Sequence, residues 1–170
     1  VNLQQAIEIR KAIATDTLCV VLLVNADKEF VKQVIAEVKP DLLQFHGDES
    51  ADFCQQFDFP FIRALRMRDD LDISAEARAY SNAYGLLFDA WNPNQYGGTG
   101  EQFDWQRLPT ERDFHLILAG GLNPLNVAEA VEAARPDMVD VSGGVESSAG
   151  IKDEQKMRAF INNAKAVSDA

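Results

Sequence analysis

The chain contains little cysteine, histidine or positive charge, and each shortage excludes a class of protein. Two cysteines among 170 residues cannot build a disulfide scaffold. No second His or Cys stands at ligand spacing from His46, so we predict no metal site. The chain has 16 Lys and Arg against 27 Asp and Glu, a net charge of −11. This charge disfavours nucleic acids and anionic membrane surfaces as partners, because both bind clustered Lys and Arg.

Long apolar runs and targeting signals are also missing. No run approaches the roughly 18–20 apolar residues of a membrane span. The first residues lack the basic segment followed by an apolar one that marks a signal peptide. We therefore expect a cytoplasmic protein. Hydrophobic residues make up 46% of the chain, enough for a folded core, and the length fits a single domain over residues 1–170.

Short apolar runs alternate with helical patterns along the chain. The strand-like runs cover residues 18–24, 42–45, 61–65, 86–89, 116–119 and 138–142. The helical patterns cover residues 2–14, 28–38, 50–57, 124–134 and 153–167, and a further helix starts at Ser74. Fully apolar strands separated by helices predict a parallel sheet that is buried on both faces. The fold class is therefore α/β, either a doubly wound sheet or a (β/α)8 TIM barrel. Polar residues after nearly every strand favour the barrel.

Two glycine-rich segments follow consecutive strands. LILAGGL carries Gly120 and Gly121, and VDVSGGVE carries Ser142, Gly143 and Gly144. Glycine lets the backbone approach an anion closely, and barrels build phosphate sites from the loops after their last two strands. Neither segment is a nucleotide P-loop, because no GK[ST] follows it. Together the segments predict a phosphate site, although a tight turn explains either one alone equally well.

LLFDA and QFHGDES each carry a group capable of acid–base chemistry. Asp89 ends an apolar strand, where partial burial would raise the pKa of its carboxyl towards a value suited to a general acid. A helix cap or a loop acid is the alternative interpretation of Asp89. A lone histidine such as His46 is more often structural than catalytic. The segment YGGTGEQFDW, residues 96–105, is interpreted from its composition as a flexible connection.

Five motifs in order resemble phosphoribosylanthranilate isomerase from residue 1 to about residue 167. They are LLQFHGDES, LLFDA, YGGTGEQFDW, LILAGGL and VDVSGGVES. Each motif is modestly specific, whereas five in the same order and spacing are strongly specific. Gly143 stands where the family usually has Ser, and Phe45 stands where it usually has Leu. Both differences are mild.

The resemblance implies a TIM barrel and one step of tryptophan biosynthesis. In this Amadori rearrangement, N-(5-phosphoribosyl)anthranilate becomes 1-(2-carboxyphenylamino)-1-deoxyribulose 5-phosphate without a cofactor or metal. The implied partner is thus a small sugar phosphate. The family's general acid, which opens the ribose ring through its oxygen, maps onto Asp89. The phosphate-binding positions map onto Gly120, Gly121, Ser142, Gly143 and Gly144, and the positions facing the site map onto Gln44, His46 and Asp140.

The family's general base has no counterpart in these 170 residues. It is a Cys in a KxCG-type motif after the first strand, and it removes the proton from C2 of the sugar. Cys19 lies near the start of its strand and Cys54 lies in an outer helix, so we expect neither to reach the site. By the resemblance, the chain begins at the second helix and supplies about six of eight strands. We therefore expect poor isomerisation, exposed sheet edges, and completion of the barrel by a homo-oligomer or a separate N-terminal segment.

Two other functions stay open at this point. One is a different enzyme on a phosphate-binding barrel, such as indole-glycerol-phosphate synthase or another sugar-phosphate aldose–ketose isomerase. No strand here ends in the Lys on which the synthase chemistry relies. The other is a non-catalytic phosphate-binding fragment or assembly subunit of such a barrel.

Overall fold

Six parallel strands form one sheet in sequence order. The computed structural model describes residues 1–91 and 102–168, so residues 96–101 of the predicted flexible connection lie outside the described residues. The strands are β1 (Val20–Leu23), β2 (Leu42–Phe45), β3 (Phe61–Arg66), β4 (Gly85–Asp89), β5 (Leu116–Leu118) and β6 (Met138–Val139). A doubly wound sheet reverses its strand order partway, whereas this order never reverses. The α/β sheet therefore has the order of a barrel wall, with β1 and β6 at its edges.

Side chains at the helix starts explain where several helices begin. The helices are α1 (Leu3–Ala12), α2 (Lys28–Glu37), α3 (Ala51–Gln55), α4 (Ile73–Ala79), α5 (Val127–Ala134) and α6 (Glu154–Ser168). Asn2 and Gln5 form a capping box at α1. Asp27 and Ser50 each accept a hydrogen bond from the N–H group three residues further on. Within the described part of the chain, no helix combines the length and apolarity needed to cross a membrane.

Two predicted helix starts are wrong. Helix α4 begins one residue before Ser74, because the side chain of Asp72 caps it. Helix α5 begins three residues after Pro124. The N–H of Asn123 donates to the side chain of Asn126, 2.8 Å away, and this contact holds a turn in front of the helix. In both places a short polar side chain decides the first helical residue.

The predicted last strand, residues 138–142, is also too long. The N–H of Asp140 still donates to the carbonyl of Leu118, 2.8 Å away, but Ser142 leaves the extended conformation with φ −118° and ψ −86°. A short 3-10 helix (Gly143–Val145) follows. An antiparallel hairpin, β7 (Glu146–Ser148) and β8 (Ile151–Lys152), then precedes α6. The second glycine-rich segment is therefore followed by a hairpin that the sequence did not predict.

Side chains alternate across the sheet and build two separate cores. On the outer face, strand residues such as Phe45 and Phe88 pack against helix residues such as Val31 and Val127. The inner face has a cluster made of strand and strand-end residues alone: Leu42, Ile62, Ala64, Leu87, Ile117 and Ala119. The helices therefore cover one face only. Every residue of β2, β4 and β5 is buried, as predicted for strands that are covered on both faces.

Strand β1 does not have the predicted burial on both faces. Val20 and Leu22 are 40% and 52% exposed, and Leu22 pairs with Gln44 on the inner face. At the opposite edge, Met138 of β6 is 41% exposed. In the part of the chain that the structure describes, each of these strands pairs with a single neighbouring strand. The predicted exposure of two sheet edges and a row of apolar residues is thus confirmed.

Candidate active site

Gln44, His46 and Asp89 form a hydrogen-bonded chain at the carboxyl ends of β2 and β4. All three residues are buried. The Nε2 atom of Gln44 lies 3.1 Å from Nδ1 of His46, and Nε2 of His46 lies 3.1 Å from Oδ2 of Asp89. An amide nitrogen can only donate, so Nδ1 of His46 accepts and Nε2 carries the proton that is donated to Asp89. The fold therefore brings three of the predicted site residues into direct contact.

Both carboxyl oxygens of Asp89 have hydrogen-bond partners. Its Oδ2 faces His46, and its Oδ1 accepts a hydrogen bond from the N–H of Ala90, 2.9 Å away. Asp89 is the last residue of β4, and its side chain is 8% exposed. A buried and oriented carboxyl favours the acid–base interpretation over that of an exposed loop acid.

Asp140 belongs to the same site. Its carboxyl reaches the surface beside the β6 edge, but protein surrounds it on the other sides. This desolvation, together with the negative charge of Asp89, raises the pKa of Asp140. The positive charge of Lys152 lowers it in part. The carboxyl of Asp89 is therefore close enough to affect the pKa of Asp140.

The two glycine-rich segments approach the site from neighbouring strands. Gly120 has φ +81°, and a Cβ there would lie 2.6 Å from the backbone nitrogen of Ala90. A Cβ on Gly144 would lie 1.8 Å from the carbonyl oxygen of Leu122. Only glycine permits these approaches. The loops after β5 and β6 therefore touch each other, and the loop after β5 touches the strand end that carries Asp89.

Ser142 and Gly143 lie at the open side of this pair of loops. Among the described residues, apart from the two chain neighbours of Gly143, no heavy atom lies within 4 Å of its Cβ position, so this side of Gly143 is open. Lys152 of the hairpin donates from Nζ to the carbonyl of Ser142, 2.9 Å away, and pairs with Glu146 at 2.7 Å. The unpredicted hairpin thus places a positive charge beside the predicted phosphate loop. No pattern in the sequence indicated this role for Lys152.

A buried ion pair behind His46 was also missed. Arg63 and Glu49 lie 3.0 Å apart, and both side chains are at most 9% exposed. The available signal was a single Arg inside the otherwise apolar segment FIRAL. A charge in a buried strand requires a partner, and Glu49 is that partner.

Neither cysteine lies at the site, as predicted. Cys19 precedes β1, and its N–H donates to the carboxylate of Asp41 at the amino end of the sheet. Cys54 is inside α3 and 1% exposed, and this burial raises the pKa of its thiol to about 12. Such a thiol is protonated at neutral pH and cannot act as a base there.

The arrangement combines two chemical capacities at one end of the sheet. A buried carboxyl that contacts a histidine can exchange a proton with a bound molecule. The loop after β6 is open on the Cβ side of Gly143, which leaves room for an anionic group beside it. The site therefore suits a molecule that carries both an anionic group and an atom to be protonated.

Comparison with known proteins identifies the family. The family model described as N-(5'phosphoribosyl)anthranilate (PRA) isomerase matches residues 1–163. The N-(5'-phosphoribosyl)anthranilate isomerase of Cellvibrio japonicus is 48% identical over 168 residues, which cover 99% of this chain and 78% of the relative. The isomerase of Neisseria gonorrhoeae is 44% identical over 168 residues, covering 99% of this chain and 81% of the relative.

Solved structures agree with the sequence matches. Phosphoribosyl anthranilate isomerase from Thermotoga maritima superposes with a TM-score of 0.87 at 31% identity, covering 98% of this chain and 82% of that one. A phosphoribosyl anthranilate isomerase in complex with reduced 1-(o-carboxyphenylamino)-1-deoxyribulose 5-phosphate gives a TM-score of 0.83 at 29% identity, covering 98% and 80%. Sequence, fold and the order of the motifs thus agree: the chain belongs to the N-(5'-phosphoribosyl)anthranilate isomerase family, enzymes of tryptophan biosynthesis.

Proposed function

We propose that Asp89 is the general acid of the Amadori rearrangement of N-(5-phosphoribosyl)anthranilate. Asp89 donates its proton to the ring oxygen of the ribose as the bond between that oxygen and C1 breaks. A base then removes the proton from C2, and the product is the amino-ketose 1-(2-carboxyphenylamino)-1-deoxyribulose 5-phosphate. The observation that carries this assignment is the contact between His46 and Asp89, at the same end of the sheet as the glycine loops.

The substrate phosphate is assigned to the two glycine loops. Gly120 and Gly121 contribute from the loop after β5, and Ser142, Gly143 and Gly144 contribute from the loop after β6. Their mutual contact and the open space at Gly143 support this role. The phosphorylated ligand in the complex of the related isomerase supports it as well. Lys152, hydrogen-bonded to Ser142, adds a positive charge nearby.

The remaining predicted residues surround the acid. Gln44 selects the tautomer of His46, and His46 orients Asp89. Asp140 is a second carboxyl that faces the sugar. Its raised pKa follows from desolvation and from the charge of Asp89.

Neither Cys19 nor Cys54 serves as the base in this proposal. Cys54 is held protonated by burial, and Cys19 lies at the other end of the sheet. A positioned acid or base contributes typically about 10²–10⁴-fold to a rate. The sheet edges at β1 and β6 would accept the strands that complete the barrel, from a second copy or from an N-terminal segment.

The proposal is tested by measuring ligand binding and turnover separately. Reduced 1-(o-carboxyphenylamino)-1-deoxyribulose 5-phosphate is titrated into the 170-residue chain and its Asp89→Asn variant in a calorimeter. The variant keeps the size of the side chain but cannot donate an acidic proton, and its amide group replaces one of the two acceptor oxygens. We expect both proteins to bind the ligand, and we expect the variant to turn over the substrate about 10²–10⁴-fold more slowly than the wild type.

The outcomes separate the two parts of the proposal. Absence of binding would overturn the phosphate assignment. Residual turnover that disappears in Asp89→Asn supports the acid, whereas residual turnover that the variant retains contradicts it. Binding with no turnover above background supports the non-catalytic alternative.

A further inference from the structure

One arginine holds the backbone on both sides of His46. The Nη1 atom of Arg63 donates to the carbonyl of Phe45, 3.2 Å away, and Nη2 donates to the carbonyl of Gly47, 3.0 Å away. His46 is the residue between these two carbonyls. A planar guanidinium offers two donors in fixed geometry, so both peptide groups are fixed by the same rigid group.

Glu49 fixes the arginine and the same turn. Its Oε2 accepts hydrogen bonds from Nη1 of Arg63 at 3.0 Å and from the N–H of Gly47 at 2.8 Å. Its Oε1 accepts from the N–H of Asn25, 2.6 Å away, in the loop after β1. Tyr80 adds a hydrogen bond to the carbonyl of Glu49 at 2.8 Å. The carboxylate thus accepts three hydrogen bonds, two from backbone N–H groups and one from the guanidinium of Arg63. These bonds hold the residues around His46 in one conformation.

The ion pair lies on the opposite face of the sheet from the substrate. Arg63 pairs in register with Leu86, which belongs to the outer core under the helices. Its neighbours Ile62 and Ala64 belong to the inner cluster. The side chains of Arg63 and Glu49 are 9% and 3% exposed. Neither side chain therefore contacts a molecule bound on the inner face at the carboxyl ends of the strands.

We propose that Arg63 and Glu49 are positioning residues that orient the ring of His46 towards Asp89. Fixing the peptide groups on both sides of His46 fixes its Cα–Cβ direction, and Gln44 then selects the ring tautomer. The inference rests on the proposed function only for the role of Asp89. The orientation of His46 itself is a property of the unliganded protein and can be measured without turnover.

The test reads the ring nitrogens of His46 by NMR. The chain has two histidines, and His115→Asn removes the exposed one, so the remaining ring signals belong to His46. In this background we expect a single tautomer with the proton on Nε2. Arg63→Lys keeps the charge but loses the two-pronged donor, so we expect the ¹⁵N shifts of the two nitrogens to move towards each other. Glu49→Gln, which loses the charge at constant size, should produce the same change.

Arg112→Lys is the matched control. Arg112 also bridges two carbonyls, those of Pro109 and Arg135, and pairs with Asp137, but at the amino end of the sheet. We expect its substitution to leave the His46 signals unchanged. Amide spectra of every variant confirm that the protein is folded. A folded Arg63→Lys or Glu49→Gln with unchanged ring shifts would overturn the proposal, as would an equal change in Arg112→Lys.

Inorganic phosphate, titrated into each variant, provides a separate readout of the proposed function. Amide shifts at Gly121 and Gly143 support the phosphate site, and their absence overturns that site. The His46 signals alone decide the positioning role. The two failures are therefore distinguishable in one set of samples.

Discussion

The Nε2 atom of His46 lies 3.1 Å from the Oδ2 atom of Asp89, although the residues are 43 positions apart in the chain. Strand β3 lies between the strands that carry them. In a parallel barrel wall all strands end at the same edge, so side chains after alternate strands can meet above the strand between them. The side chains of the pair are only 6% and 8% exposed, so their contact is largely shielded from water.

Substituting Asp140 by Asn is expected to stabilise the fold at neutral pH. The pKa of Asp140 is raised by desolvation and by the charge of Asp89, so the ionised carboxylate is less favourable in the folded state than in the unfolded one. Below the unfolded pKa both states are protonated and the two proteins should melt alike. As the pH rises through the folded pKa, the variant should gain stability relative to the wild type. Melting curves between about pH 3 and pH 8 measure this gain, and a difference independent of pH would contradict the electrostatic cause.

A negative charge at Gly143 is expected to abolish phosphate binding. The Cβ position there is open, so Asn and Asp both fit without displacing a neighbour. Gly143→Asp places a carboxylate against the anion, whereas Gly143→Asn has the same size without the charge. We expect calorimetry with inorganic phosphate to show binding to Gly143→Asn and none to Gly143→Asp. Equal affinities would remove Gly143 from the phosphate site.

Both thiols are expected to be unreactive in the native protein. The pKa of Cys54 is about 12, so at pH 8 roughly one molecule in 10⁴ carries the thiolate. Burial also raises the pKa of Cys19. Ellman's reagent should therefore label two thiols rapidly only after denaturation. Cys54→Ser assigns the slower phase, and rapid labelling of the native wild type would contradict the structure.

The exposed inner face of β1 is expected to promote self-association. Leu22 is 52% exposed on a strand with one free edge, and apolar edge strands favour pairing with another chain. Leu22→Lys should reduce the concentration-dependent increase in mass that analytical ultracentrifugation detects. Ile161→Lys is the matched control, because Ile161 is similarly exposed, at 50%, on helix α6. An equal effect of both variants would point to general hydrophobic aggregation rather than pairing at β1.

The elements of the fold could be predicted from local pattern. Residues 42–45 form a strand and Ser50 caps α3, both as predicted. Apolar runs and polar caps are recognisable because each depends on residues only a few positions apart. The predicted first residues of α4 and α5 were wrong, because hydrogen bonds to the side chains of Asp72 and Asn126 set where these helices begin. The hairpin after the second glycine segment was not predicted, because its residues are mostly polar and carry no strong strand pattern.

The sequence by itself determined the order of strands and helices, the carboxyl at the end of β4 and the two glycine segments, since each depends on neighbours along the chain. Only the tertiary structure decided that His46 meets Asp89 and that Arg63 holds the turn around His46. It also decided that Asp140 lies close enough to Asp89 for that charge to raise its pKa, and that β1 exposes its inner face. These contacts join residues on different strands, and their geometry follows from sheet register and from which strands have neighbours on both sides.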